Sequence, residues 1–482
     1  MRRDDKLAAA RTALSDARGI PVSYSNKEAI VALENAHESF LAFRGDPLEM
    51  VNTIIERHPG FMLAHLFKAA CLTQTLENRV RDDLVNTVSA AEALSATATD
   101  RELAHLRAVS AWITGDVSAA VTEWENALAH NPLDLLALQI IHLTYVLFGQ
   151  VKGQRDVVAR VFTYWDESVV GYEHVLGFYA FGLEENCEYE RAEQMAKRSI
   201  SLRSENPYAV HAIVHIMDMQ GRYREGLAFM YDHAERWTAS GFTVHLWWHT
   251  ALMHLDLQDF ERVLEIYDSE LRASQDTASR YEEFDATALL WRLRLLGVDV
   301  GDRWIELADK WEPSAKDTLY AFNNAHAMMA LVSDSRHIAS QVLLETNDRY
   351  ARESSNDNAV AIRTVGLLFC HAIKDFHKNR YVECVDRLLA VRHQLDHLGG
   401  SYVQREVLIW TMFEASIRAG RYALAVALAN ERCELKPGSV QRWLDLARGL
   451  HGLGDMSAST AAKDKAAVIL AEHNDRSQTW ES

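Results

Sequence analysis

The sequence predicts an all-α fold of tetratricopeptide-like antiparallel helical hairpins, and three observations carry that prediction. Apolar residues recur with a helical rather than an alternating period along almost all of the 482 residues. Only 7 prolines interrupt the pattern. Equivalent turn signals also return at or near 34 residues, the length of one such hairpin, as between Ala192 and Gly226. The hairpins are expected to stack into a right-handed superhelical solenoid, continuous over 1–482, with possible internal arms at 17–267 and 268–476.

The charge balance narrows the partners. With 68 acidic against 50 basic side chains the net charge is −18, which argues against a general affinity for nucleic acid or an anionic membrane. No apolar run approaches the roughly 20 residues of a bilayer span, and the first residues do not read as a cleaved leader, so a cytoplasmic location is the expectation. Five cysteines, Cys71, Cys187, Cys370, Cys384 and Cys433, are scattered and odd in number. Neither a disulfide framework nor a paired-cysteine metal knuckle fits them.

Taken in order, residues 1–16 read as a short charged helix or a loose segment, and Ser25 or Asn26 caps the helix that begins at Lys27. Phe61 to Thr75 and 79–95 follow as helices. From Arg101 the repeat is firm: Ala104, Ala108 and Ala111 share one helix, Gly115 and Asp116 turn, and Ala120, Trp124 and Ala127 share the next. Small residues there let two helices approach while the tryptophan fills between them. The helix over 171–186, the turn at Gly221-Arg222-Tyr223 and the segment from Asp259 repeat that plan. Tyr281 to Gly297 reads as an amphipathic helix carrying Asp285 and Arg292, and helices near 301–310, 317–331 and 334–345 follow. Segments 355–376, 380–393, 402–418, 422–433, 437–451 and 458–472 complete three more hairpins.

Between Pro207 and Phe260 two successive hairpins each place a histidine pair at i, i+4 on their first helix. His211 and His215 form one pair, His245 and His249 the other, and equivalent members stand 34 residues apart. Residues four apart share a helix face, so four imidazoles are directed toward a common inter-repeat groove or are used as packing. No HExxH accompanies them, which removes the metalloprotease motif. Among nearby carboxylates, Glu184, Glu185, Asp218, Glu282 and Glu283 are ordinary helix charges by default. Asp285 differs, because it opens the apolar face Ala-Thr-Ala-Leu-Leu-Trp, where an unpaired charge is costly.

With these segments placed, the sequence resembles the tetratricopeptide repeat protein 38 family. The resemblance spans nearly the whole chain, through GIPVSYSNKEAI, NPYAVHAIVHIMDMQGRYREG, VHLWWHTAL, FDATALLWRL, NNAHAMMAL and GGSYVQREVLIWTMFEASIRAGRY. It implies the helical-repeat fold and carries no biochemical activity with it. In the family's GGS-AQRD-type segment this chain has Gly399, Gly400, Ser401, Gln404 and Arg405, followed by Glu406 in place of aspartate.

The expected catalytic set is His211, His215, His245, His249 and Asp285. Expected substrate contacts are His174, Tyr179, Trp248, Asn323, His326, Gln404 and Arg405, the last two near a glycine-rich helix start suited to a carboxylate or phosphate. No metal ligand is assigned and no cofactor is required, although the histidine cluster suits a divalent metal. Hydrolytic or lyase-type acid–base chemistry on a polar or anionic small molecule is the leading expectation. The alternative is a non-catalytic scaffold for a peptide or protein partner, and a homo-oligomer is compatible with either.

Overall fold

The computed structural model describes residues 14–75, 77–238, 240–273, 279–318 and 320–475, so residues 1–13 lie outside it. Among the described residues the regular elements are helices, with one isolated antiparallel bridge between Ser15 and Pro21. Asn26 rather than Ser25 caps the helix at Lys27, its side chain accepting from the Ala29 N–H at 3.0 Å. No helix among the described residues is long and apolar enough to cross a membrane.

Helices α1 (Asp100–Ile113) and α2 (Val117–His130) show how the sequence builds a hairpin. Thr99 and Glu102 close a capping box at the start of α1, satisfying backbone donors that have no intrahelical partner. Gly115 takes φ +85 in the turn, and Asp116 caps α2 through the Ala119 N–H at 2.8 Å. Ala108, Ala120 and Trp124 are fully buried. The Trp124 indole donates to His105 Nδ1 at 3.1 Å, so the proton of a neutral His105 sits on Nε2, which meets Asp134 at 2.9 Å. Asp134 also receives Arg101 at 2.8 Å and caps α3 (Leu135–Leu147). Arg101 reaches Asp16 at 2.7 Å, so a buried charge network ties the first described residues to this hairpin.

The chain divides into two compact units. The first runs to Val210, with short segments near Gly241 and at Asn356–Asn358, and includes α4 (Tyr172–Glu185) and α5 (Tyr189–Leu202). The second begins at His211, inside α6 (Pro207–Met219), and position 268 lies within it.

The second unit continues with α7 (Tyr223–Asp232), α8 (Thr243–Asp256) and α9 (Phe260–Ile266). Next come α10 (Arg280–Leu296) and α11 (Ala321–Ser333), and later α12 (Tyr402–Arg418), α13 (Tyr422–Leu435) and α14 (Val440–Gly452). Helices α8, α11 and α12 all pack on α10. The helix expected over 355–376 is interrupted by a π turn at Ile362–Gly366. A Cβ on Gly366 would stand 3.3 Å from the Ala321 Cβ, so the bulge brings bare backbone against α11.

Within this unit the loop between α13 and α14 is fastened to the far ends of α6 and α8. Lys436 donates to Asp218 at 2.8 Å. Asp256 accepts from the hydroxyls of Tyr223 at 2.8 Å and Ser439 at 2.7 Å and from the Gln441 N–H at 3.1 Å. Gly221, at φ +70, brings its backbone so close that an added Cβ would stand 2.7 Å from the Gly438 Cα.

Candidate histidine centre

The two histidine pairs converge, and they do so wholly within the second unit. His211 Nε2 lies 3.0 Å from His245 Nε2 and 3.2 Å from His249 Nε2, and the latter two are 3.2 Å apart. One donor atom from each of His211, His215, His245 and His249 can be chosen so that all four lie within 4.8 Å of one another. The His215 ring centroid is 4.3 Å from that of His211 and 4.5 Å from that of His249. Equal placement on α6 and α8 is therefore matched by a real meeting of side chains.

Asp285, from α10, completes the group. Its Oδ2 stands 2.6 Å from His245 Nδ1, and it is 1% exposed. That bond places the His245 proton on Nδ1 and turns the Nε2 lone pair toward the other histidines. Trp248 stacks on His245 at 5.4 Å and meets His249 edge-on at 4.8 Å. His249 is 1% exposed; burial, and then the charges of His215, His245, His211 and Arg292, push its pKa well below the ordinary histidine value. Its neutral form is favoured. His245 alone of the four is only partly buried, its side chain 13% exposed, which leaves the centre one solvent-facing member.

A second polar layer lies one heptad along the same three helices. His211 and Asp218, His249 and Asp256, and Asp285 and Arg292 are each seven residues apart, so each pair shares a helix face. Asp218, Asp256 and Arg292 line a cavity of about 20 Å³ together with Glu406, Arg432 and Lys436, enough for about one water. Arg292 spans the layers. Its guanidinium lies 5.3 Å from the Trp248 ring and donates to the carbonyls of Ala288 at 3.2 Å and Val403 at 2.7 Å. Burial lowers its pKa to about 10, while Glu406, Asp218 and Asp285 act the other way. Sequence reasoning did not assign Arg292 a role; the seven-residue register with Asp285 was the available signal.

The remaining residues expected at the site divide. Asn323 and His326 are fully buried on α11, where His326 Nδ1 pairs with the Phe322 carbonyl at 2.8 Å and its ring packs on Phe284 of α10. The Asn323 amide and His326 Nε2 have no hydrogen-bond partner among the described residues. Gln404 belongs to the Ser401 capping box of α12, and Arg405 donates to the Gly400 carbonyl, so both side chains serve the turn. His174 and Tyr179 lie on α4 of the first unit. His174 Nε2 is 3.3 Å from Glu38 and from Arg203, and Arg191 donates to the Tyr179 hydroxyl at 3.0 Å. Among the other carboxylates, Asp218 pairs with Lys436, Glu282 with the Ser279 cap and Glu283 with Arg280.

No family model matches the sequence. Solved structures similar to it include human IFIT1, as a dimer with PPP-AAAA, at 11% identity and a TM-score of 0.40, covering 98% of this chain and 100% of that one. Yeast Tom70 is 12% identical with a TM-score of 0.34, covering 95% and 98% respectively. Naa15/Naa10 bound to HypK is 10% identical with a TM-score of 0.24, covering 91% of this chain and 68% of that one.

Proposed function

We propose that the histidine centre is the working site of a small-molecule enzyme, with hydrolytic or lyase-type chemistry on a polar or anionic substrate. One observation carries the reading: three Nε2 atoms meet within 3.2 Å while a buried carboxylate aligns one of them. Packing alone does not call for this, since an apolar core avoids the desolvation cost of burying imidazoles and a carboxylate together. A carboxylate-backed imidazole beside His249, whose burial favours its neutral form, supplies a base or a ligand. The test is turnover of a metabolite panel of esters, phosphoesters and hydroxy acids by the full chain, then by His249→Ala. Turnover that falls by two or more orders of magnitude supports the reading. Absence of any turnover by the parent protein, or undiminished turnover by the variant, sinks it.

A second reading is a non-catalytic helical-repeat scaffold for a peptide or protein partner, in which the histidines stitch hairpins together. The burial of His211, His215 and His249, at 6%, 0% and 1% exposure, favours it. Capture of a peptide or protein by the parent chain, undiminished when the four histidines are replaced, would select this reading. Membership of the tetratricopeptide repeat protein 38 family is proposed on the same footing, from the sequence resemblance.

A further inference from the structure

The geometry points to a tetrahedral site for a zinc-class divalent metal, with His211, His245 and His249 as ligands through Nε2 and His215 at the fourth position. The inference rests on the reading of the cluster as a ligand centre, and it names the ligand.

Hydrogen bonding does not account for the triangle. An imidazole nitrogen has one in-plane direction, used by a proton or by a lone pair. Three Nε2 atoms separated by 3.0, 3.2 and 3.2 Å thus have three such directions and three close contacts, each of which would need both a donor and an acceptor. At least one contact sets like against like. A cation removes the conflict, because lone pairs that repel each other are then all donated to one acceptor.

The dimensions fit. Zinc–nitrogen bonds of about 2.0–2.1 Å put the ligands of a regular tetrahedron about 3.3–3.4 Å apart, only a few tenths of an ångström above the observed edges. The fourth ligand must approach from one side of the triangle, and a His215 nitrogen is within 4.8 Å of each of the other three donors. An all-imidazole set suits zinc and its neighbours in the first transition row and disfavours magnesium and calcium, which take oxygen. Asp285 bonds the remaining ring nitrogen of His245 at 2.6 Å, the outer contact that fixes tautomer and ring orientation in histidine metal sites.

The experiment strips the full chain with a chelator and titrates it with Zn²⁺ and with Co²⁺. We expect one equivalent of either metal, the intense visible absorption of four-coordinate Co²⁺, and a raised melting temperature of the parent chain. His249→Gln and His211→Gln should each lose stoichiometric binding, whereas His397→Gln, at an exposed position, should retain it. Because stripping and reloading are read on the parent protein, a variant that fails to fold does not decide the matter. Less than half an equivalent bound, the pale spectrum of six-coordinate Co²⁺, or full binding by a folded His249→Gln chain would overturn the assignment. Metal binding without turnover would uphold this site and sink the catalytic reading; turnover by a chain that binds less than half an equivalent of either metal would do the reverse.

Discussion

Replacing Asp285 with asparagine isolates the contact that aligns His245 within the histidine centre. The substitution keeps shape and leaves an oxygen able to accept from His245 Nδ1, so the ring can remain in place. What it removes is the charge on a buried acceptor 2.6 Å from that nitrogen. Hydrogen bonds to charged groups contribute about 1.5–3 kcal/mol against about 0.5–1.5 for neutral pairs, so the loss is about 1–1.5 kcal/mol before any metal is considered. Outer contacts of this kind are typically worth about 10–100-fold in metal affinity, or about 1.4–2.8 kcal/mol at 1.4 kcal/mol per tenfold. The two figures overlap near tenfold. Competition against a chromophoric chelator should therefore show Asp285→Asn binding Zn²⁺ about 10–100-fold more weakly than the parent, still at one equivalent. An affinity within threefold of the parent would show that Asp285 does not orient His245. A complete loss equal to that of His249→Gln would refute the assignment of Asp285 to the outer layer.

Three more predictions concern the stability of each unit taken by itself. In the first unit burial depresses the pKa of both His37 and His142 to about 3, below the unfolded value of 6.5. The unfolded chain then binds more protons at acid pH, so stability is full above about pH 6.5 and falls toward pH 4, by up to about 3 kcal/mol per histidine. Urea midpoints at pH 7, 5 and 4 should decline less steeply for His142→Phe, and parallel declines would exclude His142 as a source. Asp134→Leu leaves Arg101 with one of its two buried carboxylate partners and should cost about 3–5 kcal/mol; adding Arg101→Met should recover part of that, and strict additivity of the two would contradict the pairing. Gly221→Ala must hold an alanine at φ +70 with its Cβ 2.7 Å from the Gly438 Cα, costing at least about 1–2 kcal/mol from the backbone alone. A change below 0.5 kcal/mol in denaturant unfolding would show that the contact relaxes freely.

How much of this was legible depended on the range of the interaction. Helix period and turn glycines report on neighbours in sequence, so the hairpin of Ala108, Ala120 and Trp124 could be read directly, while the cap before Lys27 was narrowed only to Ser25 or Asn26. The spacing of the four histidines, with the conspicuous charge of Asp285, located the centre because equivalent repeat positions fall on equivalent faces. Spacing says nothing about ring rotation, so the meeting of three Nε2 atoms emerged only from coordinates. Gln404 and Arg405 were ambiguous for a related reason: a helix start that can bind an anion can equally be closed by its own side chains, as here. The partnership of Lys436 with Asp218 crosses 218 residues and leaves no local mark at all. Arg292 was visible only as a charge in an apolar helix, although its seven-residue distance from Asp285 repeats the spacing of His211 to Asp218 and His249 to Asp256.

The clasp formed by Lys436, Ser439 and Gln441 on Asp218 and Asp256 bears on how the second unit yields to force. An open stack of repeats peels from its end one hairpin at a time, each step small, because each repeat touches only its neighbours. Here the late loop grips the same two helices that carry the histidines, two turns farther along each. A pull on the carboxyl-terminal end is thereby delivered to α6 and α8 before the intervening hairpins have to separate. The clasp and the centre then bear load through the same two helices, so occupancy of the histidines would appear in single-molecule pulling as a higher peak at the step in which the clasp opens.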